Sequence, residues 1–196
     1  AISLDCEMAQ TIYGEDTLVQ VTLIDMLTAT PLLDLTVIPT HPIADWRTQW
    51  SGMSESIMAE RIASPDHETV RGYAEARARV WDFVNADTIL VGQSLNFDLK
   101  VLGMVHWRVV DSFILVKEGG FRAGGGSMRL KNLVEDFVGV RIQTGDGETG
   151  HDCLEDTFGA REVVVWCWRN QGVEKEREGC EKGPGPWGVK SEEVWW

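Results

Sequence analysis

The first stretch of the chain, ISLDCEM at residues 2–8, sets two kinds of side chain against each other. Successive strand residues point to opposite faces, so Ile2, Leu4, Cys6 and Met8 mostly share one face and the acids Asp5 and Glu7 share the other. Residues 17–26 (TLVQVTLIDM) alternate, are β-branched and predict a second strand, and residues 31–38 (PLLDLTVI) predict a third. The short connector around Thr28–Thr30 makes these two a hairpin. Residues 39–53 carry two prolines and no period, which predicts a loop. Helical spacing marks residues 67–86, with Val70, Tyr73, Ala76, Val80 and Val84 among its apolar positions. Residues 88–92 (TILVG) predict a short buried strand, and Ser94 then caps a helix running through Leu102.

Residues 106–110 predict another strand, 119–127 a glycine-rich loop, 128–138 a helix, 143–150 a second loop and 152–170 a long helix. Beyond Asn170 glycine, proline and charges mix without a period, so the expected domain covers residues 1–170 and residues 171–196 form an irregular extension. A strand hairpin followed by alternating helices and strands indicates one α/β domain with a mixed sheet.

Length and charge narrow the picture. A chain of 196 residues suits one domain with a full core. No apolar run approaches the roughly 18 residues of a membrane span, and no signal-peptide pattern precedes the first strand. The chain opens directly on that strand, as a fragment of a longer protein would. Its formal charge of −13 argues against simple electrostatic binding of nucleic acid. The objection weakens if some of those acids hold divalent ions, because phosphate then meets metal instead of bare carboxylate. The four cysteines, Cys6, Cys153, Cys167 and Cys180, form no C-x-x-C pair and no zinc spacing. Reduced thiols in an intracellular protein are expected, with no assigned chemistry.

Three segments carry candidate chemistry. Asp5 and Glu7, side by side on a strand, repel each other and pay for desolvation if the strand is central; a cation between them removes both penalties. The alternative is an exposed strand end with two solvated acids. Asp98 lies in the first turns of the helix after TILVG, at the sheet edge where ligands bind in open α/β folds. An acid there also complements the helix dipole. In HDCLEDTFGA, Asp152 and Glu155 fit a capping box, which accounts for both structurally. Asp156 is one turn into that helix, and His151 precedes it on a glycine-rich loop. Two-metal phosphodiester cleavage requires several carboxylates and a base of near-neutral pKa, and these four acids with one histidine meet that requirement.

The ordered segments LDCEM, GQSLNFDLKVL and HDCLEDT resemble the DEDDh 3′→5′ exonucleases of the ribonuclease H-like superfamily. The similarity is strongest to the eukaryotic RNA exonuclease branch that includes the interferon-stimulated exonuclease. DWRTQWSGM, HWRVVDSFIL and MRLKNLVEDFVGVRIQ resemble further segments of that branch, and the match covers roughly residues 1–168. The resemblance implies a three-layer α/β/α fold with a five-stranded mixed sheet, one strand of it antiparallel. It implies release of nucleoside 5′-monophosphates from a 3′ end. Asp5, Glu7, Asp98 and Asp156 would hold two divalent metal ions, Mg²⁺ or Mn²⁺, with Asp5 touching both, and His151 would be the general base.

The implied partners are single-stranded RNA or DNA 3′ ends, RNA before DNA, and the implied location is nuclear or nucleolar. Gln93 stands where the branch has histidine, Trp46 where it has tyrosine, Ala9 for valine and Ser112 for threonine, and GGFRAGGGS lengthens a loop. Candidate substrate contacts are Met8, Leu95 and Phe97. Arg47, Arg122, Arg129 and Lys131 are candidates for phosphate, and Trp46 or Trp50 for base stacking. The rival readings are an endonuclease on the same fold and a catalytically silent module that binds nucleic acid or protein.

Overall fold

The computed structural model describes residues 1–121, 126–145 and 150–170. The expected hairpin forms: β1 (Ile2–Thr11) pairs antiparallel with β2 (Asp16–Asp25), which pairs antiparallel with β3 (Pro31–Ile38). β1 also pairs in parallel with β6 (Leu90–Gly92), and β6 with β7 (Val109–Asp111). These five strands are the expected mixed sheet, with β2 running against the rest.

Two short strands enlarge it. β5 (Glu68–Arg71) adds in parallel to β3, giving the order β5-β3-β2-β1-β6-β7, and β4 (Ile43–Asp45) pairs with the far end of β1. Both correct the sequence reading. Residues 68–71, read as helix, are held extended by main-chain pairing to a strand more than thirty residues earlier, so α3 begins only at Gly72 and ends at Trp81. Residues 39–53, read as loop, contain β4 and the single turn α1 (Thr48–Ser51). α2 (Glu55–Ala63) follows, its N-terminus capped by the Ser54 hydroxyl accepting from the Ile57 N–H.

β1 lies in the interior of the sheet, and its two faces serve different ends. Ile2, Leu4 and Cys6 join Leu35, Ala76, Val80, Leu95 and Leu102 in the main core, which packs α3 and α4 (Asn96–Val101) on one face. On the other face the Ser3 hydroxyl donates to the Thr157 carbonyl at 3.0 Å and the Cys153 thiol donates to the Asp5 carbonyl at 3.4 Å. These bonds seat α7 (Cys153–Arg169) on the sheet. A second core links α7 to α5 (Ser112–Gly119), to α6 (Leu130–Leu133) and to the π-helical segment Val134–Val138 that continues α6. No helix among the described residues is long and apolar enough to cross a membrane.

Ser94 does not cap α4 with its side chain. It sits at φ 57°, in the left-handed region, and its carbonyl accepts from the Phe97 N–H. The turn is held instead by Asp111, whose Oδ2 accepts from the Leu95 N–H at 2.8 Å and whose Oδ1 accepts from the Phe113 N–H at 2.9 Å. One carboxylate therefore fixes the start of α4 and caps α5. The predicted extension 171–196 lies outside the described residues, as do Arg122 and Cys180.

Candidate metal centre

The acids converge because three elements meet at one stretch of β1. β1 presents Asp5 and Glu7, α4 brings Asp98 from one face of the sheet, and α7 brings Asp156 from the other. The pairing of β1 with β2 slips by one residue between Glu7 and Met8, so the irregularity falls directly beside the acidic pair. Glu7 is 8 % exposed, Asp98 4 % and Asp156 5 %, whereas Asp5 keeps part of its surface open.

Donor atoms of Asp5, Glu7 and Cys153 lie within 4.8 Å of one another, as do those of Glu7, His151 and Asp156. Glu7 belongs to both groups. Asp98 stands outside these two close groups, but its charge acts on both Asp5 and Glu7. His151 Nδ1 is 3.2 Å from Asp156 Oδ2.

Burial and mutual repulsion favour the protonated acids. Burial pushes the Glu7 carboxyl up to about 9, with the charges of Asp156, Asp98 and Asp152 adding to it. Burial likewise raises Asp5 well above the usual carboxylate range, assisted by Asp98, Glu7 and Asp156. Asp98 rises to about 7, again chiefly through burial, which outweighs hydrogen bonds from its own backbone and from Cys6. The thiols of Cys6 and Cys153, buried beside these acids, are pushed up as well. Among the described residues no lysine or arginine forms an ion pair with any of the four carboxylates.

A cavity of about 750 Å³ opens onto the centre; Asp5, His151 and Asp156 lie on its wall with Trp50, Arg129 and Lys131. The expected capping of α7 forms in part. Asp152 accepts from the Leu154 and Glu155 N–H groups, but Glu155 accepts from the Gln143 N–H and does not close the reciprocal bond. Of the expected substrate contacts, Leu95 is 1 % exposed in the main core, so its side chain serves packing. Trp46 packs beside Ala9, Val19, Met53 and Met58, and Met8 is half-buried against the main core. Arg47 pairs with Asp16 at 2.8 Å, and Phe97 is exposed on α4; neither lines the cavity. Arg129, Lys131 and Trp50 do.

Gln93 is a structural tie: its amide donates to the Met128 carbonyl at 3.0 Å and accepts from the Ser112 hydroxyl. Two residues not singled out from the sequence stand at the centre of the site. Gln143 donates to both oxygens of Asp156, at 3.0 and 2.9 Å. Gly150, at φ +68°, lets the loop carrying His151 pass against α1, where the His151 N–H donates to the Trp50 carbonyl at 3.2 Å. The left-handed turn before a candidate histidine was the available signal for Gly150. For Gln143 the available signal was its place as the last residue of MRLKNLVEDFVGVRIQ, a segment that resembles one of the RNA exonuclease branch.

No protein-family model matches the chain. RNA exonuclease 3 of Eremothecium gossypii is 34% identical over 163 residues, which is 83% of this chain and 38% of that protein. The human RNA exonuclease 1 homolog is 34% identical over 174 residues, 88% of this chain and 13% of that protein. The chain thus spans well under half the length of these relatives.

Among solved structures, the Pan2 catalytic unit of Neurospora crassa superposes with a TM-score of 0.70 at 18% identity, covering 89% of this chain and 28% of that one. The Pan2 module of Saccharomyces cerevisiae, solved in complex with AAUUAA RNA, gives 0.68 at 20% identity over 86% of this chain and 28% of that one. The fold is the ribonuclease H-like one expected, enlarged by β4 and β5. By sequence along most of its length, the chain belongs to the eukaryotic RNA exonuclease family.

Proposed function

We propose that the chain is a metal-dependent 3′→5′ exonuclease that removes nucleoside 5′-monophosphates from the 3′ end of single-stranded RNA. Asp5, Glu7, Asp98 and Asp156 hold two divalent ions, Mg²⁺ or Mn²⁺, and His151 is the general base. The observation that carries this reading is a buried acidic cluster, without a lysine or arginine partner among the described residues, that has a histidine beside it and opens onto a cavity.

The donor set fits the ions. Carboxylate oxygens suit Mg²⁺ and Mn²⁺ better than a thiophilic metal. Glu7 is buried among other acids, so a charge there calls for a bound cation, and without one the proton is favoured. When bound, the ions supply positive charge against the phosphate and acidify a water.

The remaining work falls to the chain. His151, on the cavity wall, takes the proton from the attacking water. Arg129 and Lys131 oppose backbone phosphates, and Trp50, 54 % exposed beside them, offers a ring to a base. These positive groups give an acidic protein a local surface for its substrate. The names of the relatives, RNA exonuclease 3 and RNA exonuclease 1 homolog, favour RNA over DNA.

The test is a time course on 5′-labelled RNA and DNA of one sequence, with Mg²⁺, Mn²⁺ or EDTA, beside a circular strand. A ladder shrinking from the unlabelled end, absent in EDTA, with the circle intact, is the expected result. Opening of the circle would make the enzyme an endonuclease, and an unchanged strand in both metals would remove the activity.

A further inference from the structure

The contact between Gln143 and Asp156 goes beyond what a cleavage site requires. Gln143 Nε2 lies 3.0 Å from Asp156 Oδ1 and 2.9 Å from Oδ2. Nearly equal distances put the nitrogen close to the bisector of the carboxylate, where a cation bound by both oxygens would sit. Only the NH₂ end of the amide can face a carboxylate without repulsion.

The position is built rather than incidental. Ile142 is buried in the core formed with α5, α6 and α7, anchoring the chain immediately before Gln143. The Gln143 N–H donates to Glu155 Oε2 at 2.8 Å, and its backbone is held at φ 54°. A non-glycine residue in that region is uncommon and is kept there by its surroundings. His151 Nδ1 faces the same Asp156 Oδ2 at 3.2 Å, so the neighbours of this carboxylate are the Gln143 amide, the imidazole and Glu7.

We propose that Gln143 is a positioning residue that stands in for a cation on Asp156, and that divalent-ion binding at this carboxylate requires its amide to be displaced. The inference rests on the reading of Asp156 as a metal ligand. Gln143 holds the carboxylate in place while the ion is away and competes with the ion for the same two oxygens. It therefore weakens apparent ion affinity, because only the fraction of molecules with the amide displaced is competent to bind.

Calorimetric titration of the full chain with Mn²⁺ tests this in four forms: wild type, Gln143→Ala, Gln143→Lys and Asp156→Asn, each checked for native circular dichroism. Removing the competitor in Gln143→Ala is expected to tighten Mn²⁺ binding about tenfold. Gln143→Lys replaces a neutral donor with a tethered cation and is expected to weaken it by at least about tenfold. A residue that merely supports the loop would shift both variants in the same direction. Weaker or unchanged binding by Gln143→Ala, while Asp156→Asn loses a site, would overturn the role of Gln143 and leave the metal centre standing. Absence of Mn²⁺ binding by the wild type, or wild-type binding by Asp156→Asn, would overturn both.

Discussion

At the scale of single residues, the site joins groups of opposite legibility. Asp5 and Glu7 were readable because strand alternation places residues two apart on one face, and burial of β1 then makes their adjacency costly. Asp98 had a structural explanation as a helix-start acid, and only its meeting with β1 separates it from an ordinary one. Leu95 and Trp46 show the reverse. They lie near site residues in sequence, yet core packing claims their side chains.

His151 is poised differently from the acids: its ring is partly exposed on the cavity wall, with Nδ1 3.2 Å from Asp156 Oδ2. His151→Ala is expected to lower kcat by about 10²–10⁴, the usual range for losing a general base, with little change in KM. Single-turnover and steady-state assays in Mg²⁺ check this. An unchanged kcat would assign the proton transfer elsewhere.

At the scale of elements, local pattern set the strands of the hairpin and the long helix α7, and failed where distant partners decide. β5 is a strand because it pairs with β3, and no feature of residues 68–71 alone announces that. The turn before α4 is held by Asp111 from the end of β7, so the choice of Ser94 as cap named the right place and the wrong residue. The loop entering α7 depends on a close approach instead. A Cβ on Gly150 would overlap the Thr48 carbonyl oxygen and lie 2.5 Å from the backbone of Gly52, at a φ that side chains rarely adopt. Gly150→Ala is therefore expected to push the loop off α1 and carry His151 with it. Turnover should fall at least about tenfold with Mn²⁺ affinity largely kept, and the free energy of unfolding should drop by more than ~1 kcal/mol, because alanine is strained at this φ. Wild-type kinetics in that variant would show that the α1 contact does not set the position of His151.

At the scale of the whole molecule, the acidic cluster makes stability depend on pH in an unusual direction. Glu7 rises from 4.5 to about 9 and Asp98 from 3.8 to about 7 in the folded protein, so between those limits the folded state binds more protons than the unfolded chain. Stability then falls as pH rises, beginning above about 4 and ending above about 9. Thermal melts in EDTA are expected to decline between pH 5 and pH 8 as far as these groups contribute. Mn²⁺ should raise the melting temperature more at pH 8 than at pH 5, because the ion competes with protons. A metal-induced shift equal at both values would show that these acids do not hold the ion.

The net charge of −13 looked unfavourable for a nucleic-acid enzyme. Composition averages over the surface, whereas Arg129 and Lys131 are placed on the cavity wall. The most direct measurement is turnover of 3′-terminal RNA cleavage in Mn²⁺ by Asp5→Asn, a change that keeps size and shape while removing the shared charge, with folding verified by circular dichroism. The expected result is a loss of at least about a thousandfold relative to wild type. Near-normal turnover by the folded variant would contradict it.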